Sequence, residues 1–462
     1  MLLKKSVFIA KNRISLILIF FTLFVWLWTV FNISAWRKDK VIIHDIISYY
    51  AYLPATFIYH DLSFQFVDDL PDDFPGTIWY LTTKDGARVQ KMSMGVSVLY
   101  SPFFFIAHQQ ARLTGYPSDG YSKPYQIWLV LSSVFYAFLA LLLLRKILIR
   151  FFTDTITTIT LLIIAFGTNW FFYVTNEGPM SHTYSFFLFS ALIYFTMKWH
   201  TFRSISNAVA LGLVGGLIVL VRPSNIIVFI IPLLYGVYSK ETLVNKINLL
   251  KSNWHHLVII VFLVCLIFYP QMLYWKKATG HWIYYSYGNE GFYFSRPNIL
   301  KGLFSYRKGW FVYTPLMILA VAGIPLLFRK MKAFALPVTF FFIINIYIVF
   351  SWWCWWYGGS FGMRSLIETY AILAIPLAMC IDYIFKQKRW VQISASVIIF
   401  LLISLNLFQT LQYRRTVIHW DSMTKEAYWT VFGTLTIPDN YQELIQVPDY
   451  DSALQGKEEK VE

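Results

Sequence analysis

"RKDKVIIHDIISYYAYLPATFIYHDL" (37–62) follows directly on an uninterrupted apolar run from Ile14 to Ile33. That run has the roughly 20 residues a helix needs to cross a bilayer. The segment after it starts basic and then opens, at Asp45, into an aromatic amphipathic stretch of the kind that lies in a membrane interface. A carboxylate at that boundary can take a proton from a water-soluble acceptor while a lipid-linked donor waits in the bilayer. Capping of a helix beginning near Ile46 explains the same residue equally well.

Composition fixes the class. Hydrophobic residues make up 57% of the 462, aromatics 20% and charged residues 14%, against about 25% charged in soluble domains. The chain is expected to be an all-α polytopic membrane protein. The first apolar run is span-length and lacks a small-residue cleavage site, so it is read as an anchor, not a cleaved signal. Cys265, Cys354 and Cys380 lie in or beside apolar runs without the paired spacing of a disulfide framework or a zinc site.

The net charge of +15 does not indicate nucleic acid, because Lys and Arg fall in clusters between apolar runs. These are Lys4, Lys5, Lys11 and Arg13; Arg145, Lys146 and Arg150; Lys198 and Arg203; Lys240, Lys246 and Lys251; Arg329, Lys330 and Lys332; and Lys386, Lys388 and Arg389. Placing all six inside, as the positive-inside rule asks, gives about eleven spans. They lie near 14–33, 125–144, 155–175, 181–199, 205–221, 224–238, 256–275, 310–328, 334–352, 366–385 and 391–410, with the amino terminus inside and the carboxyl terminus outside. "MGVSVLYSPFFFIAHQ" (94–109) would invert that order if it crossed. It is read as an interfacial or re-entrant helix interrupted at Pro102.

The threading leaves a transmembrane domain over 1–410, with outer loops at 34–124 and 276–309, and an outer tail over 411–462. Chemistry is expected outside. In the first loop, "DDLPDD" (68–73) reads as a turn, and its adjacent aspartates also have the oxygen donors a divalent cation takes. No cofactor is otherwise indicated. At "TNEGPMSHTY" (175–184), Glu177 and His182 sit between two spans, where a helix start accounts for Ser181. In "VLVRPSN" (219–225), Arg222 stands between apolar runs, where a guanidinium needs water, an acid or an anion. "SWWCWWYGGSFGMRSLIETY" (351–370) reads first as an interfacial aromatic belt, followed by Arg364 and Glu368 at a spacing that lets them pair on one helix face. The loop at 276–309 mixes Tyr, Gly and Asn with Tyr285 and Glu290, a combination that suits a polyhydroxylated ligand and also an ordinary lid.

The order of these features resembles the GT-C glycosyltransferases, and within them the branch of protein O-mannosyltransferases and lipid A aminoarabinose transferases. The segments that carry the resemblance are "HDIISYYAYLPATFIYHDLSF" (44–64), "KMSMGVSVLYSPFFFIAH" (91–108), "LFSYRKGWFVYTPL" (303–316) and "WWYGGSFGMRSLIE" (355–368). It implies that Asp45 is the essential first-loop carboxylate and that Lys91 contacts the donor phosphate. Here Lys91 lacks the Pro-Pro pair that commonly follows it, and Ile46 replaces a second acid after Asp45, so a two-acid metal site there is not expected. The tail resembles nothing in the family, and its prolines and end charges read as a small or partly disordered outer appendage.

The expected function is an inverting glycosyltransferase that moves a sugar from a polyprenyl-phosphate-linked donor to a glycan, lipid or protein acceptor, at the outer face of a bacterial cytoplasmic membrane. Asp45 is the expected base. Arg222, Arg364 and Lys91 are the expected phosphate contacts, and His44, Tyr49, Glu177, His182, Tyr285 and Glu290 the acceptor or sugar contacts. No GxGxxG or Walker-type loop is present. A secondary transporter, or a non-catalytic partner in cell-envelope polysaccharide assembly, is the alternative. A transporter shows two corresponding halves, whereas the long outer loops here have no counterpart. Convergence of Asp45, Arg222 and Arg364 on one cavity open to the outside and to lipid favours the enzyme, and scattered positions favour the non-catalytic partner.

Overall fold

A computed structural model describes residues 13–71, 74 and 78–457. Lys4, Lys5 and Lys11 of the first basic cluster, Asp72 and Asp73 of the acidic turn, and the charged end 458–462 lie outside these residues. Helix α1 spans Ile14–Ile33. In the first loop, α2 (Asp45–Tyr50) and α3 (Tyr52–Phe57) are followed by a two-stranded ribbon, β1 (Leu81–Thr82) with β2 (Arg88–Val89), and by α4 (Gly95–Thr114). Next come α5 (Lys123–Leu148), α6 (Asp154–Phe166), α7 (Trp170–Thr175), α8 (Ser181–Thr201), α9 (Ile205–Val221) and α10 (Ile230–Leu234). The middle of the chain holds α11 (Lys240–Ser252), α12 (Trp254–Thr279), α13 (Ile299–Phe304), α14 (Trp310–Tyr313), α15 (Met317–Lys330) and α16 (Lys332–Phe350). The last long helices are α17 (Tyr370–Ile384) and α18 (Arg389–Arg414), and the tail carries α19 (Lys425–Thr430), α20 (Tyr441–Leu444) and α21 (Tyr450–Leu454).

Among the described residues, five segments are long and apolar enough to cross a membrane: Ile14–Lys38, Lys123–Leu148, Trp254–Thr279, Lys332–Phe350 and Arg389–Arg414. Helix α1 shows why such a segment holds its place. Ser15, Ile19, Thr22, Trp26 and Val30 are buried at helical spacing, while Ile17, Phe20, Phe24, Trp28 and Phe31 point outward as a lipid-facing surface would. Its basic end is fixed where Arg145 Nε donates to Ser15 Oγ at 2.6 Å and Arg145 Nη2 lies 3.8 Å from Asp154 Oδ1, tying α1, α5 and α6 together.

Several expected spans are interrupted. The one over 155–175 breaks between α6 and α7, where Asn169 turns inward to donate to Phe361 O (3.1 Å) and accept from Tyr370 OH (2.8 Å). The one over 310–328 breaks at Thr314 and Pro315, since proline lacks the N–H that would continue α14. The segment over 224–238 is broken into a 3₁₀ helix, Pro223–Phe229, and the short α10. In the opposite sense, α4 is not interrupted at Pro102. It runs through that residue for 20 residues, because a proline removes a single hydrogen bond that packing on α5 and α9 offsets.

Two backbone features bring the first loop to the other outer edges. Gly95 starts α4 so close to the end of α9 that an added Cβ would stand 2.2 Å from Val221 N, and Ser93 Oγ donates to Leu220 O at 2.6 Å. Lys91 to Ser93 therefore lie beside Arg222. The nearly wholly buried α17, packed on α6 and α15, forms the centre of the core directly after Glu368.

Candidate active site

Asp45 is the first residue of α2 and does not cap it. The N–H groups of Ile46 and Ile47 go to Ile43 O and His44 O, and no side chain caps this helix. His44 adopts φ 51°, a costly conformation for a residue with a Cβ. That turn points Asp45 inward, where its Oδ2 lies 3.2 Å from Arg364 Nη2. No other protein partner is found for this carboxylate among the described residues.

Arg364 reaches Asp45 because the Gly-rich turn before it folds back. Gly362 has φ 59° and sits against Tyr313, where a Cβ would meet the Tyr313 Cβ at 3.1 Å. Residues 364–366 form a 3₁₀ turn and the α-helix begins only at Tyr370, so Arg364 and Glu368 do not share a helix face and do not pair. Glu368, 4% exposed, accepts instead from Arg222 Nη1 (3.1 Å) and contacts His182 Nδ1 (3.2 Å). Arg222 Nη2 donates to Ser181 Oγ at 3.2 Å, and Tyr49 OH donates to the same oxygen at 3.1 Å. Ser181 thus links Tyr49 to Arg222 and does not cap α8.

A third pair joins the two outer loops. Lys91 Nζ bonds Glu290 Oε1 and lies 5.2 Å above the Tyr287 ring, while Trp353 Nε1 donates to Glu290 Oε2 at 3.2 Å. Tyr285 OH donates to Glu290 O at 2.5 Å.

One cavity of about 520 Å³ is lined by Asp45, Tyr49, Lys91, His182, Arg222, Tyr285, Glu290 and Arg364. Of the expected site residues only His44 and Glu177 are not on its wall. His44 is exposed, and its carbonyl accepts from Trp79 Nε1 at 3.0 Å. Glu177 sits in the turn between α7 and α8 and shares the field of Arg364 with Asp45. Burial pushes its carboxyl up to about 7, with Asp45 adding to the shift and Arg364 and Lys308 opposing it. A larger groove of about 970 Å³, at the first loop and the end of α12, is lined by Asp68 and Asp69 of the acidic turn and by none of the expected catalytic, phosphate or sugar contacts.

Sequence reasoning missed Glu368, Asn225, Asn345, Tyr357 and Tyr450, which also line the cavity. Glu368 carried a signal, as an acid opening an apolar run, but pairing with Arg364 accounted for it. The tryptophans do not form an outward belt. Trp355 and Trp356 are buried, and Trp352 and Trp353 line the cavity. Among the described residues no three His, Cys, Asp or Glu side chains converge as a metal would require, and Asp68 of the acidic turn is held by Arg88 Nη2 at 2.7 Å. Cys354 and Cys380 are buried, Cys265 is exposed, and all three are free thiols.

No family model matches the chain, and no curated protein sequence does. Solved structures do. The oligosaccharyltransferase of Archaeoglobus fulgidus in its apo form superposes with a TM-score of 0.51 at 13% identity, over 98% of this chain and 64% of that one. The same enzyme tethered by a disulfide to an acceptor peptide containing the NVT sequon gives 0.50 at 11% identity, over 95% and 61%. The chain shares its fold with these structures. The chain spans less than two thirds of the length of those neighbours. At these identities the likeness is one of fold alone.

Proposed function

We propose that this chain is an inverting glycosyltransferase that takes a sugar from a polyprenyl-phosphate-linked donor and passes it to an acceptor on the outer side of a bacterial cytoplasmic membrane. The observation that carries the reading is the meeting, in one cavity, of a carboxylate from the first loop with guanidinium groups from two distant edges, Asp45 with Arg364 and Arg222 with Glu368. A scaffold gains nothing from three ion pairs lining an internal cavity, since desolvating charge costs more than such pairs usually return.

In the proposed reaction, Arg364 holds Asp45 by Oδ2 and the other oxygen takes the proton of the acceptor hydroxyl. The acceptor oxygen forms a bond to the anomeric carbon as the bond from that carbon to the phosphate oxygen breaks, with inversion. The electron pair leaves with the lipid phosphate, and Arg222 stabilises the charge that develops there. Every cation in the cavity has its own carboxylate, so the phosphate competes with Glu368 for Arg222 and with Glu290 for Lys91. The reading places the acceptor among the aromatic side chains around Glu290 and Tyr285. The resemblance to the O-mannosyltransferase and aminoarabinose branch supports a polyprenyl monophosphate as carrier.

The test is reconstitution of the purified chain in nanodiscs with undecaprenyl-phosphate-linked hexoses, pentoses and aminopentoses. Acceptor-dependent release of undecaprenyl phosphate is expected with at least one donor. Release with none of them, alongside turnover of a diphosphate-linked donor, would sink the carrier assignment.

A further inference from the structure

The tail beyond α18 is folded onto the rest of the protein. Val417, Ile418, Met423, Ala427, Val431 and Tyr441 are buried. Two anchors fix it. Lys308 Nζ, buried, donates to both Ser360 O and Trp420 O, and Ser360 N donates to Trp420 O at 3.1 Å. At the far end, Tyr293 OH donates to Leu454 O. Between these anchors the tail delivers one residue, Tyr450, to the cavity wall.

Tyr450 is held from both ends. Its hydroxyl donates to Asp421 Oδ2 at 2.8 Å and lies 3.3 Å from Trp356 Nε1, and its ring meets Trp356 and Trp353 edge-on at 5.3 and 6.2 Å. Asp421 is itself fixed by Ser422 Oγ at 2.7 Å and by His419 Nδ1 at 3.3 Å. Burial works to raise its carboxyl, yet the neighbouring His419 and the hydrogen bonds from Ser422 and Tyr450 bring it down to about 2, so it stays an anion that accepts from Tyr450. With its hydroxyl committed in this way, Tyr450 offers a ligand its ring and not a hydrogen bond.

Next to that ring, Trp352 and Trp353 line the same cavity, and Trp353 donates to Glu290. Aromatic faces beside one carboxylate match a pyranose, whose C–H faces stack while its hydroxyls donate. Arg222 stands at the end of an apolar helix, where a lipid-borne phosphate arrives. Tyr450 belongs to the one lining segment that follows the last apolar helix.

We infer that the tail forms the acceptor wall of the cavity and that Tyr450 is a specificity-determining residue for a glycan acceptor, stacking on one of its sugar rings. This rests on the transferase reading and deepens it. The test is calorimetric titration of the full chain in nanodiscs with neutral di- and trisaccharides and, separately, with undecaprenyl phosphate. Tyr450→Ala is expected to weaken saccharide binding at least tenfold and to leave undecaprenyl phosphate within twofold. Tyr450→Phe, which keeps the ring and gives up the tie to Asp421, should bind saccharide within threefold of the native protein. Unchanged saccharide affinity in Tyr450→Ala overturns the inference, and so does an equal loss for both ligands, which would make the tail a structural brace only. Binding of a short peptide in place of saccharides, with the same dependence on Tyr450, overturns the glycan assignment. A native protein that binds undecaprenyl phosphate but no saccharide defeats this inference alone, whereas one that binds neither defeats the transferase reading with it.

Discussion

Removing the charge of Glu368 should move stability and phosphate affinity in opposite directions. Glu368 is 4% exposed and faces Arg222 at 3.1 Å, with His182 at 3.2 Å on its other oxygen. Breaking a buried pair costs about 3–5 kcal/mol, because the remaining charge is left uncompensated. The Arg222 side chain keeps 25% of its exposure, so Glu368→Gln, which retains an acceptor oxygen, should fall at or below the low end, at about 3 kcal/mol. The same change frees Arg222 for an anion. A gain of about 1 kcal/mol for a short-chain polyprenyl phosphate, roughly fivefold in affinity, is then expected, since a charge-assisted hydrogen bond is worth about 1.5–3 kcal/mol and part of it is already made. Arg222→Ala should instead weaken binding by about 1–3 kcal/mol, with Arg222→Lys recovering part of the loss because a point charge cannot grip two oxygens. Unfolding in detergent and calorimetric titration read the two quantities separately. If Glu368→Gln loses stability and phosphate affinity together, Arg222 is a structural cation and the donor assignment is wrong.

Other expectations follow from the same geometry. Glu177, at about 7 in the folded protein against 4.5 for the free group, holds a proton that the unfolded chain has released. Its contribution to stability is present below 4.5 and is lost as pH rises through 7, so the native protein should lose more thermal stability across that window than Glu177→Gln does. Lys308, which burial pushes down to about 7 from 10.5, acts in the next window. The unfolded chain binds the extra proton there, so stability should rise between pH 7 and 10, and Lys308→Met should flatten that rise. For topology, in a cysteine-free background, thiols introduced at Ser118 and Ser452 should react with an impermeant reagent in intact cells and one at Ser239 should not. Labelling at Ser239 without labelling at Ser452 would reverse the threading.

Asp45, Arg222 and Arg364 were legible in the sequence because a charge beside an apolar span is expensive unless something compensates it. Who compensates whom was not legible. The spacing of Arg364 and Glu368 suggested a helical pair, but a 3₁₀ turn separates them and each reaches a partner more than 140 positions away, at Asp45 and Arg222. Apolar runs marked where helices lie. They did not reveal the break after Phe166, whose cause is the inward turn of Asn169 toward Phe361 and Tyr370. Continuity of α4 through Pro102 was hidden for the converse reason, since packing on α5 and α9 outweighs one missing hydrogen bond. The tail carries no strong periodic pattern. Its order comes from contacts with Lys308, Ser360 and Tyr293, which no local reading shows.

The central claim is that Asp45 is the base of a transfer reaction, and single turnover with Asp45→Asn tests it most directly. Asparagine keeps the size of the side chain and an oxygen for Arg364. The variant should insert at native levels and bind polyprenyl phosphate with native affinity, yet transfer sugar at least a hundredfold more slowly, the scale of general-base catalysis. Transfer within tenfold of the native rate in a properly folded Asp45→Asn protein would contradict the account.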